Sequence, residues 1–548
     1  MKCPHCQTEN EQNSIFCKNC NAWILDSIYH DENEDHLSEE CDHDPEVPKR
    51  KKWLIPALAG IALAVIGVVI ALLLQPGTPE TPVIPIERNE GYVYAKDHIR
   101  LQPLVNGSRV IFNDRMVVDL DGFSYSKHTS LDGSTAIYLQ SDHKLVLVQN
   151  GSSRTVTEDA LTCTLSTSGN VVAYANDRGL YLYHVDTLQH TQIADTPQVY
   201  SIALSPNGES VLCFVRTSPN DSDYSGVLLC FRNGERTALG QFENPPQLLA
   251  VPDSGSFCYI SRSDLASGNE NLCSVFPNGS TISIKLSSKD LTSSYMDLEQ
   301  YCYFNADQTQ LLYHLDGCTY ISENGQAGVC IADEVLTPAR PTGTTLTAEW
   351  LLRYLPNRNF YSSVFVRTYR ASARPDISTT SAYFDLYRLS DTNDLSVILE
   401  HARKYLLSRD GTEIYCIAST DELYRFQYHE DGSVPRSMLA QNVTDFALSA
   451  DVLYYSTGSE LYACPVSGGD GTLLATGKRF SKLTVNQGGY LFCVHDATGY
   501  ELTKDAEGQV CILNPGTEFS AAPNGLIYIE KDSELYVSID TLALTPIQ

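Results

Sequence analysis

Hydrophobic residues follow different patterns in different parts of the chain. Residues 53–74, from Trp53 to Leu74, form an apolar run of 22 residues without a charged side chain. Beyond residue 90, short runs of aromatic and β-branched residues alternate with polar turns, and no long amphipathic helical pattern occurs. The first 52 residues are mostly polar. The pattern therefore predicts a polar head, one long apolar helix and a large region of β-strands.

The apolar run has the length of a transmembrane helix. At 1.5 Å per residue it extends about 33 Å, enough to cross a hydrocarbon core of about 30 Å. Lys49, Arg50, Lys51 and Lys52 precede it, and no basic residue follows it within the next ten. The positive-inside rule therefore predicts a cytoplasmic N-terminus. A cleaved signal peptide is the competing interpretation, but such a peptide begins at residue 1 and has a shorter apolar core. We therefore expect a single-pass protein of the cell membrane, anchored in the lipid bilayer and extracytoplasmic beyond residue 74.

Small residues share one face of this helix. Gly60, Ala64, Gly67 and Ala71 recur at helical spacing, and such a stripe lets two helices approach closely. A homodimer through the helix is one interpretation. The other, which we favour, is that Gly and Ala are simply common in membrane helices. Residues 75–90 then contain four prolines and predict an extended stalk.

Residues 91–548 contain a recurring unit made of a polar turn followed by a short apolar strand. The clearest turn is Ser205-Pro206-Asn207-Gly208, and apolar pairs such as Val211 and Leu212 follow the turns. Apolar residues at successive strand positions predict burial on both faces. Full or partial copies of the turn begin at Ser130, Ser166, Ser205, Pro252, Asn305, Pro356, Ser408, Ser449, Asn486 and Pro523. A period near 40 residues made of short strands is typical of β-propeller blades.

These units resemble WD40-like and TolB-type propeller repeats. In those repeats a Ser-Pro-Asp-Gly turn precedes one strand, and a later strand carries a Leu-Tyr pair. That pair occurs here at Leu180-Tyr181, Leu423-Tyr424, Leu461-Tyr462 and Leu535-Tyr536. The resemblance implies a mainly β fold, a propeller of about 7–10 blades. Two smaller propellers remain an alternative, and the segment 92–94 is expected to pair beside the last blade and close the circle.

The cytoplasmic head contains four cysteines in metal-ligand spacing. Cys3, Cys6, Cys17 and Cys20 form C-x2-C-x10-C-x2-C. Four thiolates on two tight turns suit tetrahedral Zn²⁺ with no open coordination position, so the site is expected to be structural. Because residues 1–25 have almost no apolar core, the metal must supply most of their folding free energy.

The head resembles the short zinc ribbons at the start of many bacterial membrane proteins. Those typically read CPxCG followed by FCxxCG. Gln7 and Asn21 stand here where the pattern has glycine. Because Gln adopts a positive φ less readily than Asn, the first turn is expected to be slightly strained. Residues 26–52 follow as an acidic spacer, predicted to be disordered, that ends in the basic quartet.

Charge disfavours nucleic acid as a partner. The chain has 38 basic and 67 acidic residues, a net charge of -29, and 55 of the acids lie beyond residue 74. Phosphate backbones are repelled by such a surface. A nucleic-acid-binding zinc ribbon is therefore an alternative that we do not favour, and the quartet 49–52 is better suited to anionic lipid.

Catalytic motifs are missing from the sequence. It contains no G-x-S-x-G, H-E-x-x-H, G-x-x-x-x-G-K-[ST] or G-x-G-x-x-G pattern, and the histidines have no ligand spacing. Twelve cysteines lie beyond the membrane run, and their positions in the repeats predict small buried side chains rather than disulfides. We therefore expect a binding or sensing protein and name no catalytic residue. The propeller would bind a protein, peptide or glycan outside, and the ribbon a cytoplasmic protein. The alternative is an envelope enzyme with its site at the propeller channel.

Overall fold

A computed structural model describes residues 97–547, with gaps at 105, 123, 218–223, 265–268, 286–301, 340–363, 371–381, 391–393, 409–411, 428, 430–432, 478, 496–509, 514–517, 523 and 532–533. Residues 88–548 form one compact unit. Every regular element in the described residues is a β-strand, and these strands form eleven sheets.

The first four sheets follow one another along the chain. Sheet 1 contains β1 (Ile99–Leu104), β2 (Gly107–Phe112) and β3 (Arg115–Asp121). Sheet 2 contains β4 (Ser124–Thr129), β5 (Thr135–Gln140), β6 (Leu145–Gln149) and β7 (Ser152–Thr157). Sheet 3 contains β8 (Thr162–Leu165), β9 (Val171–Asn176), β10 (Gly179–His184) and β11 (Gln189–Ala194). Sheet 4 contains β12 (Val199–Leu204), β13 (Ser210–Arg216), β14 (Gly226–Arg232) and β15 (Glu235–Phe242).

The next four sheets repeat the four-strand order of sheets 2–4. Sheet 5 contains β16 (Gln247–Ala250), β17 (Cys258–Asp264), β18 (Asn269–Val275) and β19 (Thr281–Lys285). Sheet 6 contains β20 (Cys302–Phe304), β21 (Gln310–Leu315), β22 (Cys318–Glu323) and β23 (Val329–Ala332). Sheet 7 contains β24 (Thr337–Pro338), β25 (Val364–Arg370), β26 (Ala382–Leu389) and β27 (Leu395–Ala402). Sheet 8 contains β28 (Lys404–Leu407), β29 (Glu413–Ile417), β30 (Leu423–Gln427) and β31 (Arg436–Ala440).

The last three sheets include the irregular one. Sheet 9 contains β32 (Asp445–Leu448), β33 (Val452–Ser456), β34 (Glu460–Pro465) and β35 (Thr472–Thr476). Sheet 10 contains β36 (Phe480–Val485), β37 (Leu491–His495) and β38 (Val510–Leu513), with β38 parallel to β37. Sheet 11 contains β39 (Glu518–Ala521), β40 (Ile527–Lys531), β41 (Glu534–Ser538) and β42 (Thr545–Pro546). The other ten sheets are antiparallel throughout and form ten propeller blades, of which sheet 1 has three strands and the other nine have four.

Apolar clusters between neighbouring sheets form the core. Ten of the eleven clusters of buried residues each join one sheet to the next, from sheets 1 and 2 to sheets 10 and 11. The remaining cluster packs Ile111 of sheet 1 against Leu526 and Val537 of sheet 11. The sheets therefore close into a single ring, and each buried Leu, Ile or Val stabilises it by about 1.5–3 kcal/mol.

The position of a strand within its sheet explains its sequence. First strands of successive sheets contact one another, as β8, β12 and β16 do, so these strands lie innermost. The second strand lies between two neighbouring sheets, and all six residues of β5 and of β9 are buried. This confirms the predicted burial on both faces of the strand that follows each turn.

The predicted propeller is confirmed, with more sheets than expected. In chain order, the ten predicted turns fall between the first and second strands of sheets 2 to 11, although the turn predicted from Pro356 and residues 409–411 of the turn from Ser408 lie outside the described residues. Sheet 1 was missed because it carries no such turn. The segment 92–94, expected to close the ring, lies outside the described residues, and the closure within the described residues is made by sheet 1. The ten antiparallel blades match the upper end of the predicted 7–10, and the ring excludes two separate propellers.

Candidate functional sites

The predicted metal ligands lie outside the described residues. This holds for Cys3, Cys6, Cys17 and Cys20, and also for the apolar run 53–74 and the stalk 75–90. The zinc site and the membrane anchor therefore stay predictions. Within residues 97–547, the described parts contain no helix that is long and apolar enough to span a membrane.

The repeated turn serines have a structural role. The hydroxyls of Ser130, Ser166 and Ser205 accept hydrogen bonds from the backbone N–H five residues later, at 2.9, 3.1 and 2.9 Å. All three serines are fully buried. Each hydroxyl thereby satisfies the first N–H of the second strand, where an unpaired buried donor would cost about 1–3 kcal/mol.

The same turns also connect neighbouring sheets. The amide N–H of Ser168 donates to the carbonyl oxygen of Pro206 at 3.0 Å, and the backbone and side-chain N–H groups of Asn207 donate to the Asp253 carboxylate at 2.9 and 2.8 Å. At the closure, the Tyr528 hydroxyl donates to the carbonyl oxygen of Asn113 at 2.6 Å. The hydrogen-bonding groups of these turns are thus bonded to other groups of the ring, and few of them remain to bind a ligand.

The innermost strands carry more cations than carboxylates. Their cations are Arg100, Lys127, Lys404 and Lys482, and their carboxylates are Asp445 and Glu518. Lys404 pairs with Asp445 at 2.5 Å. The enzyme hypothesis predicts a dense cluster of carboxylates and histidines at the channel, and the described inner strands do not present one.

The Leu-Tyr element occupies the third strand of a blade. Its leucine is buried in the core, and in two of the four copies its tyrosine stacks on a tyrosine of the second strand. Tyr181 stacks on Tyr174 with ring centroids 5.2 Å apart, and Tyr462 stacks on Tyr455 at the same distance. Offset stacking of this kind adds about 0.5–1.5 kcal/mol to the burial of area. The element is therefore structural.

Four equivalent residues on the outermost strands of sheets 6–9 form what we call the rim row. They are Cys330, Val397, Met438 and Leu473, which stand opposite Tyr320, Tyr387, Tyr424 and Tyr462 in the strand register. Val397, Met438 and Leu473 are 55%, 53% and 49% exposed.

Sheets 2 and 3 differ from the rim row at the same register position. The residues there are the exposed Thr155 and Gln192. Solvent-exposed apolar side chains are ordinary when single, and their recurrence at one register position in consecutive blades is the unusual feature. Because it depends on strand pairing, the rim row could not be read from the sequence.

A charged cluster lies on sheet 7. The buried Asp385 accepts a hydrogen bond from the backbone N–H of His401 at 2.7 Å, and the Nδ1 atom of His401 lies 3.3 Å from the same carboxylate. Arg367 pairs with Glu334 at 2.6 Å and lies 3.9 Å from Asp385. His401 adopts a φ of 62° within a bulge of β27. Asp385 therefore stabilises a backbone conformation that a non-glycine residue rarely adopts.

Nine of the eleven described cysteines are buried, as predicted. Burial raises the pKa of Cys163 to about 12 and that of Cys230 to about 11, so these thiols stay protonated near neutral pH. The exceptions are Cys318, which is half-buried, and Cys330, which is exposed. Their sulfur atoms and a carboxylate oxygen of Asp333 all lie within 4.8 Å of one another. Desolvation raises the pKa of Cys318, and electrostatic interaction with the nearby Cys330 and Asp333 raises it further.

The two exceptional cysteines gave no signal in the sequence. They are separated by 12 positions, outside the short spacings of a C-x2-C unit. A hairpin between β22 and β23 and a bulge at Ile331 bring them together.

No protein-family model and no curated protein matches the chain. Solved structures with similarity include the WD40 domain of SCAP from fission yeast, with 10% identity, a TM-score of 0.30 and coverage of 66% of this chain and 92% of that one. A putative TolB from Agrobacterium tumefaciens has 15% identity, a TM-score of 0.26 and coverage of 39% and 83%. Dipeptidyl peptidase 4 from Porphyromonas gingivalis has 10% identity, a TM-score of 0.34 and coverage of 66% and 64%.

These proteins include an enzyme and non-enzymes, and likeness at this level carries no argument about activity. The propeller architecture is established by the eleven sheets and their closure.

Proposed function

We propose that this chain is a single-pass membrane-anchored interaction protein whose propeller binds an envelope protein through the rim row. A propeller is a rigid scaffold, and its ring of inter-sheet clusters keeps the outer strands in fixed relative positions. The observation that carries the proposal is the row of exposed apolar residues on sheets 7–9, with the exposed Cys330 at the same register position on sheet 6. Apolar side chains exclude water from an interface core, whereas a glycan site would need more hydrogen-bonding groups.

Charge indicates the kind of partner. Beyond residue 74 the chain has 32 basic and 55 acidic residues. A basic surface around an apolar centre complements this distribution and would associate faster at low ionic strength. The partner is therefore proposed to be a protein that presents apolar side chains flanked by Lys and Arg.

The N-terminal part completes the proposal. Residues 53–74 anchor the protein, and Lys49 to Lys52 contact anionic lipid on the cytoplasmic side. Cys3, Cys6, Cys17 and Cys20 hold a structural Zn²⁺, and the ribbon docks a cytoplasmic protein. Tethering requires no conformational signal through the acidic spacer, which makes it the physically simpler role.

The rim row is tested by charge insertion in the full-length protein. The variant Val397→Asp/Met438→Asp/Leu473→Asp places three carboxylates in the proposed interface, and Thr155→Asp/Gln192→Asp is the matched control on sheets 2 and 3. Both are expressed in intact cells, cross-linked at amine groups and affinity-purified. We expect a discrete cross-linked species whose yield decreases more than about tenfold in the rim variant alone. A tenfold decrease corresponds to a loss of about 1.4 kcal/mol of binding free energy. Equal yields from both variants would refute the proposed surface.

A further inference from the structure

We propose that Cys318, Cys330 and Asp333 form a binding site for a thiophilic divalent cation such as Zn²⁺ on the outer hairpin of sheet 6. This site is separate from the four N-terminal cysteines. It shares Cys330 with the rim row, but metal binding there does not require the proposed partner. Its three donor atoms all lie within 4.8 Å of one another.

The donor set matches the preferences of Zn²⁺. Zinc binds thiolate sulfur at about 2.3 Å and carboxylate oxygen at about 2.0–2.2 Å, which places two tetrahedral sulfur ligands about 3.8 Å apart. The observed spacing needs only small side-chain movements to reach that geometry. Two thiolates favour zinc over calcium and magnesium, which prefer oxygen ligands.

The register favours a bridging ion over a disulfide. Cys330 pairs with Tyr320, so Cys318 lies two positions along the partner strand, with a bulge at Ile331 in between. Diagonal neighbours in an antiparallel pair are about 7–8 Å apart, beyond the usual Cα separation of about 4.4–6.8 Å in a disulfide. Asp333 follows Ala332, which pairs with Thr319, so the carboxylate lies beside Cys318.

In the absence of metal, each thiol donates a hydrogen bond to a backbone carbonyl oxygen, and no fourth His, Cys, Asp or Glu of the described residues joins the three donors. The sulfur of Cys330 lies 3.4 Å from the carbonyl oxygen of Ala332, and that of Cys318 lies 3.9 Å from the carbonyl oxygen of Asp316. On metal binding the two thiols release their protons, and with them these two hydrogen bonds, and the Asp333 carboxylate supplies an oxygen ligand. Three protein ligands leave one coordination position open to water. The ion would tie β23, the outermost strand, to β22.

The test is a Co²⁺ titration of the full-length reduced protein in which the predicted ribbon is disabled by Cys3→Ser, Cys6→Ser, Cys17→Ser and Cys20→Ser. Cobalt bound to thiolate gives a charge-transfer absorption band, so the readout reports sulfur ligands. We expect one equivalent with this band, and its loss when Cys318→Ser and Cys330→Ser are added. Asp333→Asn should weaken binding by more than about tenfold, since even outer partners of ligands change affinity by 10–100-fold.

The matched control is Asp316→Asn, which removes a neighbouring charge but no ligand, and it should change affinity by less than about threefold. Circular dichroism verifies that each variant keeps its β-sheet content. The proposal is overturned by a folded, ribbon-disabled protein without a thiolate band, or by a band that survives the loss of both cysteines. It is also overturned if thiol counting shows Cys318 and Cys330 joined as a disulfide under the conditions of the cell envelope.

Discussion

Sheets 2–4 and sheets 6–9 are built on the same plan and differ at their outer strands. In sheets 2–4 the turns carry a buried serine, followed in sheets 3 and 4 by a tightly packed glycine, and the exposed rim positions of sheets 2 and 3 are Thr155 and Gln192. In sheets 6–9 the same rim positions are Cys330, Val397, Met438 and Leu473. Burial between neighbouring sheets determines the fold in both regions. A binding surface is therefore expected where the residues of an outer strand depart from the repeat.

The largest expected effect tests how tightly the turns of sheets 3 and 4 are packed. Gly208 has a φ of 76°, and a Cβ atom there would lie 2.6 Å from the Cβ atom of Val171. Gly208→Ala should lower the free energy of unfolding by about 4 kcal/mol, from left-handed strain and overpacking together. Gly234→Ala is the control because its φ is 79° and nothing lies within 4 Å of the added atom. It should cost only about 1 kcal/mol. Equal losses in urea unfolding would show that the turn is not tightly packed.

The second prediction concerns acid stability on sheet 2. Burial lowers the pKa of His128 from 6.5 to about 4. Between pH 6.5 and 4 the unfolded chain binds a proton that the folded chain does not, so stability falls as the pH falls through this window. The loss amounts to about 3 kcal/mol for this group by pH 4. His128→Asn should remove that part of the pH dependence. Parallel pH profiles of unfolding free energy for the variant and the unchanged protein would contradict the assignment.

The third prediction moves to sheet 7. Asp385→Ala removes the acceptor for the backbone N–H of His401 and leaves that donor without its partner. The free energy of unfolding should fall by about 2 kcal/mol. Asp385→Asn keeps an acceptor oxygen and should cost about half as much. Thermal or urea unfolding of the two variants measures the difference. If Asn is as destabilising as Ala, the charge of Asp385 matters more than the hydrogen bond.

The propeller could be predicted from the sequence because its core depends on local repeats. Turns such as Ser205 to Gly208 and pairs such as Leu461-Tyr462 recur, and in these blades the turn serine caps the second strand and the tyrosine stacks on it. Sheet 1 was missed because β1–β3 lack the turn. The parallel pairing of β38 with β37 in sheet 10 could not be predicted, because the alternation of apolar and polar residues does not show the direction of an outer strand.

The candidate sites could not be predicted, since they depend on register. The rim row appears only when each outer strand is paired with its Leu-Tyr strand, and a bulge shifts that pairing in sheets 6–9. Cys318 and Cys330 are equally invisible as a pair in the sequence. Cys3, Cys6, Cys17 and Cys20 are the opposite case, because their spacing alone predicts a metal site.

The smallest expected effect on stability separates the rim row from the core. Met438→Asp should change the free energy of unfolding by less than about 0.5 kcal/mol, because the side chain is exposed and has no buried partner to lose. Leu461→Asp, on the neighbouring sheet, should be severely destabilising because Leu461 is fully buried. Urea unfolding of both variants makes the comparison. A large loss for Met438→Asp would mean that this position is structural.

The most direct test of the central claim is site-specific photo-cross-linking in intact cells. A photoreactive amino acid is placed at position 438 in the full-length protein, and in a second protein at position 192, the equivalent of the rim row on sheet 3. The account predicts a discrete protein adduct from position 438, abolished by Val397→Asp/Leu473→Asp, and none from position 192. Adducts of equal yield from both positions, or an adduct from position 192 alone, would contradict it.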